Sequence, residues 1–233
     1  MKVIMAIENS FKDREIKIFT SYSTTDKEVA GRLKNELESF GFGVFLAHED
    51  IEPCAEWETV ILKSLEESDI LMALLTEDYK KSDWADQEMG FAVANKKKVI
   101  PIQIDIIPYG FVKKIQSLKM NPQRIPYNIT STALEVFKVV QRDEYFKDKL
   151  LDSLIKAFEK SWSFEDAAQK SELLSTFDIF TNEQIENIVL AAIQNRCINQ
   201  SFKGRKILKP FLLKYKEQIQ PKYLPDLKKY YEV

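Results

Sequence analysis

Trp84 and Glu88 are the residues whose types and spacing best suit chemistry. They lie four positions apart, so on a helix the indole and the carboxylate share one face. An aromatic surface beside a carboxylate suits a substrate that carries a flat cationic ring on a sugar. The ring stacks on the indole by cation–π attraction. The carboxylate hydrogen-bonds the sugar hydroxyls and steadies the positive charge that develops as the glycosidic bond breaks. A base that leaves as a neutral amide needs no general acid, so one carboxylate suffices where ordinary glycosidases use two. The bland alternative is a core-anchoring Trp with a solvated Glu one turn along.

Other chemistries are poorly supplied. His48 is the only histidine, which excludes a HExxH metalloprotease and leaves a Ser-His-Asp triad dependent on that one residue. Cys54 and Cys197 are far apart and form neither a disulfide framework nor a zinc site of the usual spacing, so no metal and no resident cofactor are expected. The Gly-rich dinucleotide fingerprint and the phosphate-binding P-loop are absent. A response-regulator receiver needs acidic residues at the end of its first strand, where this chain has Thr20-Ser21-Tyr22.

The chain has 233 residues, 34 Lys plus Arg against 36 Asp plus Glu, and a formal net charge of -2. A near-neutral chain has no bulk pull on nucleic acid, and no nucleic-acid partner is expected. No segment approaches the roughly 18–20 consecutive apolar residues of a membrane span, so no membrane is expected either. The apolar run at the N-terminus is too short for a secretory leader, which makes the cytoplasm the default.

The elements that must position Trp84 and Glu88 follow from hydrophobic period. Residues 16–20 (IKIFT), 43–47 (GVFLA), 70–75 (ILMALL) and 99–104 (VIPIQI) read as strands, the third buried on both faces. Pro101 suggests an irregularity or an edge. Helices are expected over 25–40, capped by Thr24 or Thr25 and closed by Gly41, over 57–67 with Trp57 as core anchor, and over 83–95 with Asp83 as cap. Residues 123–127 (QRIPY) offer a fifth strand and 131–141 a helix. Strands alternating with helices imply a parallel sheet, an α/β fold of flavodoxin-like type. Right-handed crossovers then put ligands at the C-terminal strand ends, here 21–24, 47–53, 76–83 and 105–110.

After about residue 142 the strand signal fades. Residues 145–160 have helical period. Thr181 and Gln184 form a capping box, with Phe180 and Ile185 at staple positions, opening a helix to about Asn195. Residues 202–218 read as a helix broken near Pro210. The span 145–233 is therefore expected to be a small all-helical domain, with Phe211, Tyr215, Tyr223 and Tyr230 in its core.

Further candidates each have two readings. Ser21 and Tyr22 end the first strand and either contact a phosphate or ribose or cap the next helix. Asp50 either binds substrate or is a solvated loop residue. His48 is a loop histidine at a strand end facing the same crevice. The run Lys96-Lys97-Lys98 reads as a solvated helix end.

Three segments resemble the signatures of the Toll/interleukin-1 receptor (TIR) domain. IKIFTSYS (16–23) is similar to the first, GFGVFLAHEDIEP (41–53) to the second strand and its BB loop, and SDILMALLTEDYKKSDWADQEM (68–89) to the third strand, its loop and the next helix. The likeness covers about 14–141. Cys54 and Ala47 depart from it, standing where many relatives have Gly and Asp. In the bacterial, NAD-cleaving members a Glu on that helix, often four residues after a Trp, is the catalytic residue. The resemblance thus implies that Glu88 is catalytic with Trp84 beside it, and it puts Asp50 on a familiar BB-loop position; Ser21, Tyr22 and His48 are substrate-binding candidates by their place at the strand ends. It implies NAD as substrate, cleaved to nicotinamide and ADP-ribose or a cyclised isomer. It further implies a bacterial immune effector or signal generator active on self-association through TIR domains, the helical domain serving oligomerisation or sensing. The alternatives are a TIR adaptor that only scaffolds, and a nucleoside deoxyribosyltransferase on a related fold.

Overall fold

The computed structural model describes residues 16–47, 57–121 and 127–232. His48, Asp50, Pro53, Cys54, the Trp57 side chain and residues 123–126 of the expected fifth strand lie outside them.

Five parallel strands form one sheet in the order β2-β1-β3-β4-β5. They are β1 (Lys17–Ser21), β2 (Gly43–Leu46), β3 (Ile70–Leu75), β4 (Lys98–Gln103) and β5 (Leu118–Lys119). The helices between them are α1 (Lys27–Ser39), α2 (Trp57–Glu67) and α3 (Asp83–Ala94), and α4 (Tyr127–Gln141) follows β5. The architecture is the expected α/β one. Each register reflects hydrophobic pattern: Phe19 of β1 sits between Phe45 of β2 and Leu71 of β3. Every residue of β3 is buried, as a central strand covered on both faces requires.

Several local expectations need correction. The fifth strand lies at Leu118–Lys119, earlier than expected. Pro101 is not on an edge strand, because β4 pairs with both β3 and β5. The proline is tolerated by parity. The N–H groups of Lys98 and Ile104 point to β3, so the nitrogen of Pro101 points away, where β5 starts pairing only at Ile102. Neither Thr24 nor Thr25 caps α1; both lie in a 3-10 turn over Thr24–Asp26, and Thr25 Oγ1 donates to Asp78 Oδ2 at 3.2 Å. Gly41 follows α1 with φ +105, the left-handed region that glycine enters without strain.

The lysine run is not simply solvated. Lys97 Nζ donates to the carbonyls of Glu66 (2.8 Å) and Ser68 (2.6 Å), so it closes the C-terminal end of α2. Lys98 Nζ pairs with Asp143 at 2.7 Å.

The described residues divide into two units, 16–38 with 42–147, and 39–41 with 148–232. The second is helical: α5 (Lys147–Glu159), α6 (Phe164–Leu174), α7 (Asn182–Gln194), α8 (Arg196–Asn199), α9 (Phe202–Lys214) and α10 (Leu224–Tyr231). The capping box before α7 forms in both directions, Gln184 N–H to Thr181 Oγ1 and Thr181 N–H to Gln184 Oε1. Helix α9 runs through Pro210 without breaking, its neighbours Leu208 and Leu212 being buried. At Gly204 an added Cβ would come within 3.0 Å of the Ser201 hydroxyl that caps α9. Of the tail aromatics Tyr215 is buried, while Phe211, Tyr223 and Tyr230 are half-buried. Among the described residues no helix is long and apolar enough to cross a membrane.

Candidate functional site

In a sheet of order 2-1-3-4-5 the chain reverses direction between β1 and β3, which opens a crevice at their C-terminal ends. Ser21 is the last residue of β1 and stands beside Ala73 of β3. Helix α3 leaves β3 through a short 3-10 turn, Tyr79–Lys81, and crosses this crevice. Ser82, in extended conformation, accepts a hydrogen bond from the Ala85 N–H at 3.4 Å and caps α3. The cap is thus one residue before the expected Asp83, which instead joins Asp86 in the first turn, where negative charge complements the helix dipole.

This arrangement brings Glu88 back over the end of β1. Glu88 is only 8% exposed. Ser21 Oγ donates to Glu88 Oε2, and Ser21 Oγ also hydrogen-bonds Tyr79 Oη at 3.2 Å. Burial pushes the Glu88 pKa from the usual 4.5 up to about 7, and the Ser21 hydrogen bond opposes that rise. Among the described residues no cation pairs with it. A carboxyl held near neutrality is suited to exchange a proton, or to answer positive charge, at physiological pH.

A cavity of about 430 Å³ opens beside it. That is within the range of small-molecule sites, roughly 300–1,000 Å³. Glu88, Trp84 and Ala85 line one wall. Thr20, Tyr22, Ser23, Thr24 and Thr25 line another. Lys81 and Asp78 lie at the same cavity, paired at 2.9 Å. Trp84 is half-buried: it packs against the core cluster of β1, β3 and α3 and also lines the cavity. The anchor and stacking readings of Trp84 are therefore compatible in one side chain.

Four of the six candidates fall in the described residues. Glu88, Trp84 and Tyr22 line the cavity together. Ser21 is 1% exposed and turned to Glu88 and Tyr79. His48 and Asp50 lie outside the described residues, directly after cavity-lining Ala47. Sequence reasoning missed Tyr79, whose partner Ser21 is 58 positions away, and Thr20, whose buried hydroxyl has no hydrogen-bond partner among the described residues. Alternation along β1 could have flagged Thr20 as a polar residue in a buried strand. Nothing local flags Tyr79. Among the described residues no cluster of His, Cys, Asp and Glu could hold a metal ion.

Residues 18–128 match the family model of the TIR domain. Over that span the chain is similar to the TIR domain. Among solved structures, the TIR domain of the Toll-related receptor TRR-2 from the lower metazoan Hydra magnipapillata is similar over 56% of this chain and 99% of that chain, with 17% identity and a TM-score of 0.44. No curated protein matches. The matched span of the TIR domain includes Ser21, Tyr22, Tyr79, Trp84 and Glu88.

Proposed function

We propose that the TIR domain is an NAD glycohydrolase. The observation that carries this reading is Glu88: a carboxyl at the β1/β3 crevice, raised to about 7, one helical turn from an indole on the same cavity. The nicotinamide ring stacks on Trp84 as a cation. The bond between ribose C1′ and the ring nitrogen breaks, and the electron pair leaves with nicotinamide. Positive charge then develops on the ribose, and the ionised Glu88 steadies it. Water adds at C1′ and gives up a proton, which Glu88 is poised to accept, leaving ADP-ribose. Attack by an adenine-ring nitrogen instead gives a cyclic isomer.

Tyr22 and the hydroxyls of Ser23 to Thr25 supply polar contacts for the rest of the dinucleotide. His48 and Asp50, which follow the second strand in sequence, remain our substrate-binding candidates. Self-association through TIR domains completes the site with a neighbour's BB loop. The helical unit, over 145–233, serves oligomerisation or sensing. The physiological setting we infer is a cytoplasmic bacterial immune effector.

Incubation of concentrated protein with NAD tests the reading, following nicotinamide release and identifying the ribosyl product. Nicotinamide release from NAD is expected. Intact NAD at every protein concentration, with self-association preserved, would favour a scaffold. Cleavage of nucleosides in preference to NAD would favour a deoxyribosyltransferase.

A further inference from the structure

Tyr79 stands behind the carboxylate. Its ring is 1% exposed and packs in the apolar cluster with Phe19, Leu75, Ala85 and Met89. Its backbone is fixed by the turn that joins β3 to α3: its N–H donates to Thr76 Oγ1 at 3.0 Å and its carbonyl accepts from the Ser82 N–H at 3.1 Å. Thr76 Oγ1 in turn donates to Asp26 Oδ2 at 2.7 Å. A phenylalanine would fill this apolar space without placing a hydroxyl in it, and a buried hydroxyl is costly unless it is bonded. The partner of this hydroxyl is Ser21 Oγ, which itself holds Glu88 Oε2.

Ser21 has one proton to give. With Glu88 ionised, that proton is directed to the carboxylate, and Tyr79 must then donate to Ser21. With Glu88 protonated, the direction reverses and Ser21 donates to Tyr79. Burial holds the Tyr79 phenol well above its usual pKa, so it stays protonated throughout the physiological range and can donate whenever Glu88 is ionised. The chain of hydroxyls pins one carboxylate oxygen and leaves the other for the cavity.

We propose that Tyr79 is a positioning residue for Glu88, acting through Ser21 to fix the carboxylate's orientation and favour its ionised form. The proposal rests on the reading of Glu88 as the carboxylate that serves the ribosyl centre. Among the described residues the groups that bear on this relay are few. Ser21 faces Glu88 from β1. Asp86 of α3 and Tyr109 of the loop after β4 bear on Tyr79, and Tyr109 donates to Asp86 Oδ1 at 3.1 Å. Asp78 and Lys81 share the cavity but neutralise each other.

The test is a double-mutant cycle in the full chain: Tyr79→Phe, Ser21→Ala and the pair. Two readouts are taken, the kcat and KM for nicotinamide release from NAD, and the Glu88 pKa from the pH titration of its side-chain carboxyl carbon by NMR. Tyr79→Phe is expected to stay folded, lower kcat roughly 10- to 100-fold with KM nearly unchanged, and move the Glu88 midpoint upward. In the Ser21→Ala background the Tyr79→Phe change should have little further effect. An unchanged midpoint in Tyr79→Phe, or an equal effect of Tyr79→Phe with and without Ser21, overturns the proposal. The NMR titration needs no turnover. If wild-type protein releases no nicotinamide, the glycohydrolase reading fails, while the titration still decides whether Tyr79 sets the state of Glu88.

Discussion

Ser21, at the last position of β1, gives its hydroxyl proton to the carboxylate of Glu88, 67 positions further along the chain. No charged partner accompanies this contact among the described residues. Glu88 is therefore a buried carboxyl held by the Ser21 hydroxyl, and its ionisation is opposed by desolvation.

The first consequence concerns stability. A carboxyl whose folded pKa is raised binds more protons folded than unfolded between the two values. The fold is then most favoured below pH 4.5 with respect to this group, and that contribution is lost as pH rises to about 7. Above pH 7 the ionised side chain costs the fold roughly 3 kcal/mol relative to its protonated form. Glu88→Gln removes the charge and keeps an acceptor for Ser21. The variant should melt several degrees higher than wild type at pH 8 and match it near pH 4.5. Equal melting temperatures at pH 8 would show that the carboxylate is better solvated than its burial indicates.

The second concerns rate. If, as proposed, the ionised form of Glu88 answers positive charge on the ribose, kcat/KM for NAD should rise with pH and level off above about 7. Initial rates of nicotinamide release between pH 5 and 9 measure this. A profile that falls across the same range would assign the working form to the protonated carboxyl.

Trp84 is half core and half cavity wall. Trp84→Ala should cost about 2 kcal/mol of stability, less than a fully buried Trp would. Its KM for NAD should rise roughly 5- to 30-fold, the equivalent of about 1–2 kcal/mol of lost cation–π attraction. Trp84→Phe should retain the stability and part of the affinity. Denaturant melts and steady-state kinetics on the same preparations separate the two roles. An unchanged KM in a folded Trp84→Ala protein would leave only the anchor role.

Lys97 closes the end of α2 through two carbonyls. Lys97→Met keeps the aliphatic stem and removes both hydrogen bonds. It should lower stability by about 1–2 kcal/mol without changing nicotinamide release. Chemical denaturation compares the two proteins, and a variant as stable as wild type would reduce this lysine to a solvated one.

The sheet was legible because its strands are short, continuous apolar runs. Ile70–Leu75 has no other comfortable place than a buried parallel strand. The Trp84–Glu88 pair was legible because one helical turn is a fixed geometry. Helix α6 was not foreseen, and its packing explains why. It buries Asp166, Lys170 and Ser171, with Lys170 Nζ 2.8 Å from Asp166 Oδ2, so the polar residues that normally mark the solvent face lie inside. Pro210 misled for the related reason that packing of Leu208 and Leu212 outweighs one missing backbone bond. Lys97 and Tyr79 escaped because their partners are set by the strand order. A carbonyl 29 residues away and a hydroxyl 58 residues away leave no mark on local sequence.

The most direct measurement is NAD turnover by Glu88→Gln beside wild type, at a protein concentration where both self-associate and with both shown to be folded. Wild type should release nicotinamide, and Glu88→Gln should do so at least ~100-fold more slowly, the usual loss when a charge-stabilising group is removed from an active site. Turnover by Glu88→Gln within about two-fold of wild type would contradict the role assigned to this carboxylate.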